Sequence, residues 1–209
     1  MIRRTSIKSI NKKLEENPDW KILDIGCGYT ANKHASVIAD VQDFSKFYKE
    51  KKFIKINGKQ LPFEDKEFDF IIASHVIEHV EDFQFFIQEI ERISKQGYIE
   101  LPSRLGDNLV FENIKEHIWW FKYDDDLKIL VASKKNQILE PFITVSTVKK
   151  LEKIFREDLV LELFWEDKIN FKVDRELEMK SELKISFLYL IKKYFSKKIR
   201  QFIANYRTK

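Results

Sequence analysis

The feature that most constrains the fold of this chain is a short apolar strand that runs directly into a glycine turn. Residues 22–28 read Ile-Leu-Asp-Ile-Gly-Cys-Gly. Because glycine has no Cβ, the chain can turn sharply after the strand, and its backbone can approach a ligand closely. This arrangement is typical of open α/β sheets, which bind ligands beyond the carboxyl ends of their strands.

Further apolar segments follow at regular spacing, and we predict them to be strands. They cover residues 36–41, 53–56, 68–73 and 97–101. A short helix is predicted from Ser6 to Glu16 and a longer one from Asp82 to Ser94, where apolar residues recur at helical spacing. Strands, loops and helices that alternate in this way predict a largely parallel sheet.

The pattern changes after Pro102. Period-two alternation predicts two antiparallel hairpins, one over residues 118–123 with 127–131 and one over residues 159–165 with 169–173. Ser146 is predicted to begin a helix between them. From Arg175 onward the sequence is predicted to be helical to its end.

The net charge of +4 conceals an uneven distribution. Residues 184–209 contain eight lysines and arginines and no acidic residue, so residues 1–183 carry a net charge of −4. The broad basic surface that nucleic-acid binding needs is therefore not expected on the main domain. We predict a domain of residues 1–175 followed by a helical basic tail of residues 176–209.

The tail is predicted to form a basic amphipathic helix over residues 184–207. Such a helix suits attachment to an anionic membrane surface, and docking on the domain itself or on a second copy in a homodimer are the alternatives. No apolar run approaches the roughly 20 residues that cross a bilayer, and the first residues do not read as a secretory signal. The single Cys27 cannot form an internal disulfide. We therefore expect a cytoplasmic protein, peripheral to the inner face of the membrane if the tail binds there.

The glycine turn by itself also fits a dinucleotide site, because residues 26–31 satisfy Gly-x-Gly-x-x-Ala. Two features favour a different ligand. Asp24 lies just before the glycines, separated from them by Ile25, and its carboxylate there would pair with an ammonium group but repel a pyrophosphate. Residues 29–34 leave room for little more than one helical turn, whereas a pyrophosphate site needs a full helix N-terminus there. Both features favour a sulfonium amino acid, with an NAD(P)-dependent oxidoreductase as the alternative.

Three later strings of sequence carry a specific resemblance. After Asp24-Ile-Gly-Cys-Gly come Leu-Pro-Phe-Glu-Asp-Lys-Glu-Phe-Asp at residues 61–69, Ala-Ser-His-Val-Ile-Glu-His-Val at 73–80, and Ile-Glu-Arg-Ile-Ser at 90–94. In order and spacing, these strings closely resemble the type 11 group of the class I S-adenosylmethionine-dependent methyltransferases. The resemblance covers about residues 20–101, and residues 140–175 match more loosely as the final helix and antiparallel hairpin. It implies a Rossmann-like α/β fold with a seven-stranded, mostly parallel sheet and S-adenosyl-L-methionine as cofactor.

The resemblance also implies roles for residues around the glycine turn. Gly26 and Gly28, with Cys27 between them, would lie under the methionine portion and the ribose of the cofactor. Asp24 would lie near the amino group. Asp40, at the end of the second predicted strand, would accept hydrogen bonds from the ribose hydroxyls.

Other cofactor contacts are implied farther along the chain. Asn57, followed by Gly58, stands where the family usually has an aspartate that contacts the adenine amine, and an asparagine carbonyl oxygen can accept the same hydrogen bond. Ser74 and His75 would border the cofactor and the point of methyl transfer. The chain departs from the family after Gly28, because the helix that normally separates the first two strands is shortened here.

Residues 75–79, His-Val-Ile-Glu-His, also fit the zinc motif His-x-x-Glu-His. Zinc would need both histidines on one helical face and a third ligand from elsewhere. Because the motif follows a buried strand and coincides with the methyltransferase pattern, no metal is expected. Glu78 and His79 are interpreted as a hydrogen-bond network that shapes the pocket, and Cys27 as structural, since no histidine or asparagine is placed to activate it.

Three residues are candidates for the base that an alcohol acceptor would require. They are His75, Glu100 at the end of the fifth predicted strand, and His117 in an inserted segment of residues 102–139. That segment is expected on the substrate side, where its aromatic side chains would stack on a sugar or base, the alternative being core packing. We therefore predict a methyltransferase that acts on a small-molecule or glycan acceptor, with a sugar hydroxyl as the narrowest choice. A non-catalytic methyltransferase-like binding module is the remaining alternative.

Overall fold

A computed structural model describes residues 1–174 and 185–207 of the chain. The strands in these residues are β1 (Ile2–Arg4), β2 (Ile22–Ile25), β3 (Val37–Asp40), β4 (Lys52–Lys55), β5 (Phe70–Ser74), β6 (Gln96–Pro102), β7 (Trp119–Asp124), β8 (Ile129–Lys134), β9 (Val160–Glu166) and β10 (Phe171–Val173). The α-helices are α1 (Ile7–Glu15), α2 (Phe83–Ile93), α3 (Arg104–Leu109), α4 (Asn113–Glu116), α5 (Val145–Leu159) and α6 (Phe187–Arg207), and a 3-10 helix spans Ile77–His79.

Seven strands form the main sheet in the order β1-β9-β6-β5-β2-β3-β4. Strand β2 pairs in parallel with both neighbours, so that Asp24 lies level with Ile38 of β3 and Ile72 of β5. β4 and β6 extend the parallel part, and β9 runs antiparallel to both β6 and β1. The predicted seven-stranded, mostly parallel α/β sheet is confirmed. Its parallel strands all end at one edge, which therefore collects the residues that follow them.

The inserted hairpin is confirmed as β7 and β8, but the predicted C-terminal hairpin is wrong. Strand β9 has both edges occupied, by β6 on one side and by β1 on the other. Strand β10 therefore pairs in parallel with β8, in a second sheet of order β10-β8-β7. Strand β1 was not predicted, because three residues are too few to show a periodicity, although Ile2 is fully buried.

The main sheet is covered on both faces, which explains the near-continuous apolar runs of its central strands. On one face, Ile10 and Leu14 of α1 pack against side chains of β2, β3 and β5. On the other face, α2 and the small sheet share one core with the alternate side chains of the same strands. The core thus holds the strands rigidly and leaves the carboxyl edge of the sheet for ligands.

The helix starts follow from capping side chains. Asp82 caps α2 as predicted, and Ser6, the predicted first residue of the other helix, caps α1; each accepts a hydrogen bond from a backbone N–H of the first turn. Helix α5 begins two residues earlier than predicted, because Thr144 rather than Ser146 caps it. Ser103 caps α3, the short helix that follows β6.

The basic tail forms α6, which agrees with the amphipathic helix predicted for residues 184–207. Lys184 and Lys209, with residues 175–183 and 208, lie outside the described residues, and so does the predicted domain boundary at 175/176. Among the helices of residues 1–174 and 185–207, none is long and apolar enough to cross a membrane.

Candidate functional site

Two adjoining cavities open at the carboxyl edge of the main sheet. One has a volume of about 700 Å³, and the other of about 690 Å³. Gly26 and His75 line both, so the two spaces meet there. Predicted site residues on the first cavity are Asp24, Cys27, Gly28, Ser74, Glu100 and His117. The second cavity is lined by Asp40 and Gly58 together with apolar side chains that include Val41, Ile56 and Leu61.

The glycine turn connects β2 to these cavities through backbone that only glycine adopts without strain. Gly26 has φ of 70° and Gly28 has φ of 48°. A Cβ on Gly26 would overlap the Cγ2 atom of Val76, whereas a Cβ on Gly28 would meet no atom within 4 Å. Gly26 is therefore needed for close packing, and Gly28 leaves open space beside the first cavity.

The segment after the turn contains no helix between residues 26 and 36, all of which are described, so the predicted shortening is confirmed. Tyr48 holds this segment in place. Its hydroxyl donates to the carbonyl of Gly28 and accepts from the N–H of Ala31, each at 3.0 Å. The Asp24 carboxylate accepts the N–H of Asn32 at 2.6 Å. Hydrogen bonds from side chains, rather than those of a helix, thus fix the backbone of this segment.

Two carboxylates lie at the ends of β2 and β3. Asp24 is only 5% exposed, and this burial raises its pKa to about 7, although the Asn32 N–H and Lys51 act in the opposite direction. Asp40 accepts the N–H of Gly28 at 3.0 Å and that of Gln42 at 2.9 Å, one on each oxygen. Each carboxylate oxygen has further lone pairs, so both groups can still accept hydrogen bonds from a ligand.

His75 lies between two carboxylates just beyond β5, with a strained φ of 54°. Its Nδ1 atom is 3.3 Å from Glu78 Oε1, and its Nε2 atom is 3.1 Å from Glu100 Oε1. Burial opposes a charge on the ring, but the bonds to Glu100 and Glu78 outweigh it and raise the pKa of His75 to about 10. His75 is therefore an imidazolium with both nitrogens engaged.

Glu100 is held in the same network. Arg156 Nη2 of α5 lies 2.5 Å from Glu100 Oε2, and the Tyr98 hydroxyl donates to that oxygen at 2.5 Å. Burial acts to raise the pKa of Glu100, but the charge and hydrogen bond of His75 and the other partners lower it to about 2. Glu100 is thus a fully paired carboxylate.

His117, at the end of α4, is buried at the rim of the first cavity. Its Nδ1 atom lies 2.5 Å from Oδ1 of Asp107, a fully buried residue of α3. Lys135 and the indole N–H of Trp120 contact the other oxygen of Asp107, at 2.9 and 2.5 Å. Although burial opposes its charge, the contacts with His117 and Lys135 lower the pKa of Asp107. Nδ1 and Oδ1 lack the angle of a hydrogen bond, but two such atoms at 2.5 Å need a proton on one of them. With that proton on Nδ1, the lone pair of His117 is on Nε2.

Other predicted residues occupy different surroundings. Burial raises the pKa of the Cys27 thiol to about 12, so it is not a nucleophile at neutral pH. Asn57 lines a surface depression with Lys21 and Gln60, which adjoins the second cavity at Leu61 but is distinct from it. The sequence pattern at Asn57 thus did not identify a residue that lines the cavities.

The structure also decides where the inserted aromatic side chains lie. Trp120 and Phe121 are buried, and Trp119 packs edge-on against Phe83 of α2. None of the three lines either cavity. The alternative of core packing is therefore correct, and the prediction that these residues stack on a sugar or base is wrong.

Three polar residues of α5 also line the first cavity, namely Lys149, Glu152 and Arg156. The sequence did not predict them, because no local pattern shows which face of the helix meets the edge of the sheet.

Comparison with known proteins agrees with this geometry. A family model described as a methyltransferase domain matches residues 23–99. A ubiquinone biosynthesis O-methyltransferase from Pelagibacter ubique is 30% identical over 166 residues, which are 66% of this chain and 68% of that protein. The chain belongs to the S-adenosylmethionine-dependent methyltransferases.

Two further relatives of this methyltransferase illustrate the range of similarity. The uncharacterized protein MJ1123 from Methanocaldococcus jannaschii is 26% identical over 169 residues, covering 75% of this chain and 78% of that protein. Among solved structures, the PH0226 protein from Pyrococcus horikoshii OT3 has a TM-score of 0.46 and 16% identity over 78% of this chain and 89% of that chain.

S-adenosylmethionine is the cofactor of this methyltransferase family, and the residues at the turn fit it. A buried carboxylate, Asp24, faces the first cavity, as an ammonium group requires. Gly28 leaves free space beside that carboxylate. The apolar side chains around Asp40 suit a nucleoside. The dinucleotide alternative lacks the helix N-terminus that a pyrophosphate needs.

Proposed function

We propose that this methyltransferase transfers a methyl group to a hydroxyl oxygen of a small polar acceptor, with a sugar hydroxyl of a glycan as the narrower acceptor class. The first cavity carries charged and polar side chains from three elements, including Glu100, His117 and Arg156. Such a lining suits an acceptor with several hydroxyl groups better than an apolar one. The name of the Pelagibacter relative, an O-methyltransferase, supports oxygen as the accepting atom.

The two cavities divide the binding task in this proposal. The predicted cofactor residues Asp24, Gly26 and Gly28 would hold the amino-acid portion, and Asp40 the ribose hydroxyls. When bound, S-adenosylmethionine supplies a methyl group activated by its positively charged sulfur. The protein then contributes positioning, a closed environment, and a group that takes the proton of the acceptor hydroxyl.

The assignment of His117 as the base depends on which of its ring nitrogens is engaged. Among the three predicted bases, His75 has both ring nitrogens bound to carboxylates, and Glu100 is paired with His75 and Arg156. His117 lines the first cavity and, alone of these three, keeps one ring nitrogen, Nε2, free of the carboxylates of the described residues, while Nδ1 lies against Asp107. A histidine oriented by a buried carboxylate accepts a proton readily, because the carboxylate stabilises the imidazolium that forms.

The proposed acceptor side belongs to the inserted segment of residues 102–139. Its helices α3 and α4 bring Gly106, Val110 and Asn113 to the first cavity.

The test of the proposed function is a panel of sugars, glycans and small alcohols incubated with the protein and methyl-labelled S-adenosylmethionine. Transfer of label to a hydroxyl-bearing acceptor, absent with the corresponding deoxy compound, is expected. Label on nitrogen or carbon only would contradict the proposal.

Cofactor affinity is expected to depend on pH through Asp24. Because the pKa of Asp24 is about 7 in the free protein, the carboxyl is mostly protonated at lower pH and must lose its proton to pair with an ammonium group. Affinity for S-adenosylhomocysteine should therefore rise about tenfold per pH unit up to neutrality and then level off. Calorimetry in buffers of different ionisation enthalpy measures both the affinity and the released proton. Asp24→Asn should flatten the profile, and a flat profile in the unmodified protein would contradict the assignment.

We further propose that α6 attaches the protein to an anionic membrane surface. All described side chains from Ser186 to Asn205 are exposed. Five of them fall on one side by helical spacing, namely Leu188, Ile191, Phe195, Ile199 and Phe202, and the opposite side carries lysines and Arg200. An exposed apolar stripe beside a basic face is the pattern that inserts between anionic headgroups.

Co-sedimentation with vesicles tests this attachment. The protein is expected to bind phosphatidylglycerol vesicles more strongly than phosphatidylcholine vesicles, and added salt should weaken binding. Phe195→Ser with Phe202→Ser should weaken it at least about tenfold, since burial of each phenylalanine contributes about 1.5–3 kcal/mol. Gln201→Ser is the matched control on the polar side. Equal binding to both vesicle types, or a dimer that dissociates in the double variant, would instead assign the stripe to another partner.

A further inference from the structure

A cluster of three side chains, of which His79 and His117 line the first cavity, combines the ligand types of a transition metal. One ligand atom from each of Glu78, His79 and His117 lies within 4.8 Å of the other two. Glu78 and His79 belong to the 3-10 helix after β5, and His117 follows α4. The chain thus brings together residues about 40 positions apart, and the rings of His79 and His117 meet edge to face at 4.5 Å.

Both histidines are oriented by their Nδ1 atoms. That of His79 lies 3.0 Å from the carbonyl oxygen of Glu116, which can only accept, so Nδ1 carries the hydrogen. That of His117 lies 2.5 Å from the Asp107 carboxylate. In each ring the lone pair is therefore on Nε2. Ligating histidines in metalloproteins are held in the same way, by a carbonyl or carboxylate on the other nitrogen.

Glu78 is the residue that these contacts leave unexplained. Its side chain is 0% exposed, and Oε1 pairs with His75. Its other oxygen, Oε2, has no hydrogen-bond partner among the residues that the structure describes. A buried carboxylate oxygen without a hydrogen-bond partner is costly, and a bound cation would satisfy it.

We propose that Glu78, His79 and His117 bind a divalent transition-metal cation such as Zn²⁺. Two imidazole nitrogens with one carboxylate oxygen form a ligand set that suits such cations. Mg²⁺ and Ca²⁺, by contrast, prefer ligand sets made of oxygen atoms. Ligand atoms on one zinc ion lie about 3.3–3.5 Å apart for bonds of about 2.1 Å. The cluster has to contract by up to about 1.4 Å from a separation of at most 4.8 Å, and the exposed His79 can supply that movement.

The site differs from the zinc motif that the sequence suggested. Both ring nitrogens of His75, the first histidine of that motif, contact carboxylates, those of Glu78 and Glu100. The second histidine of the cluster is therefore His117 and not His75. Three protein ligands would leave at least one coordination position open, which is typical of sites that bind substrate oxygen, and two of the ligands line the cavity. A hydroxyl of the acceptor would occupy such a position and become more acidic there. This use rests on the proposed function, whereas binding of the cation does not.

Titration of the chelator-treated protein with Co²⁺, followed by visible absorption, tests the site, and competition with Zn²⁺ gives its affinity for zinc. One equivalent is expected to bind. His79→Gln is the first variant, because its exposed side chain can change without disturbing the core, and Glu78→Gln is the second. Each should weaken Co²⁺ binding at least about tenfold. His34→Gln is the matched control, since His34 also lies beside a carboxylate, Glu15, but outside the cluster.

The outcomes separate the site from its role. Binding that is absent, or equally strong in both variants, would overturn the site. Binding that the variants lose supports it. Methyl transfer is measured separately, with and without chelator. Transfer that persists in the chelator would leave the cation site in place and remove its role at the acceptor. Loss of transfer that only added metal restores supports that role.

Discussion

Replacement of Gly26 by alanine is expected to destabilise the protein and abolish cofactor binding. Alanine at φ of 70° costs about 1–2 kcal/mol, because its Cβ approaches the following carbonyl. The new Cβ also overlaps Val76, a β-branched residue that is stiff at χ1, and overpacking of this kind costs about 1–3 kcal/mol. The free energy of unfolding should therefore fall by about 2–5 kcal/mol in urea denaturation.

The chain offers two controls for this prediction. Gly28→Ala has a similar φ but meets no neighbouring atom, so it should cost only about 1–2 kcal/mol. Gly26→Ala combined with Val76→Ala removes the overlap and should restore part of the loss, with a coupling of about 1 kcal/mol or more. Equal stability of the Gly26 and Gly28 variants would show that close packing against Val76 is not the reason for a glycine at the turn.

The elements that could be predicted from the sequence are those whose burial is uniform. Strands β2, β5 and β6 lie between two covered faces, so their apolar runs were evident from local sequence. The partner of β10 was not evident, because it depends on β1 and β6 having already taken both edges of β9. Strand pairing of this kind is set by competition between distant segments, which local periodicity does not record.

The candidate site divides in the same way. The turn residues Gly26 and Gly28 and the carboxylates Asp24 and Asp40 follow directly from strand ends, and the structure places all four on the cavities. The charge state of His75 was not predictable, because it depends on Glu100, a residue of another strand. Likewise, the motif His-x-x-Glu-His suggested that His75 and His79 lie together on one helix. In the structure, His79 and Glu78 of the 3-10 helix instead lie near His117, which is distant in sequence.

Replacement of His117 by glutamine is expected to lower kcat for the hydroxyl acceptor by about 10²–10⁴-fold, the usual contribution of a positioned proton acceptor. Glutamine keeps a polar side chain beside Asp107 but offers no basic nitrogen. His117 belongs to the inserted segment and not to the strand ends that would hold the cofactor, so affinity for S-adenosylhomocysteine should stay unchanged. Turnover is measured with the acceptor that the labelled panel identifies, and circular dichroism checks that the variant folds.

The matched control is His34→Gln, which replaces a histidine outside both cavities and should leave kcat unchanged. A His117 variant that retains turnover within about threefold would remove His117 from the chemistry, since even a modest proton-transfer role contributes more than that. Cation titration of the unmodified protein and of the same variant then distinguishes two roles for the lone pair of Nε2, as proton acceptor or as metal ligand. If kcat falls while the unmodified protein binds no cation, His117 takes the acceptor proton itself. If cation binding and kcat are lost together, the lone pair serves as a metal ligand, and the cation rather than the imidazole activates the acceptor oxygen.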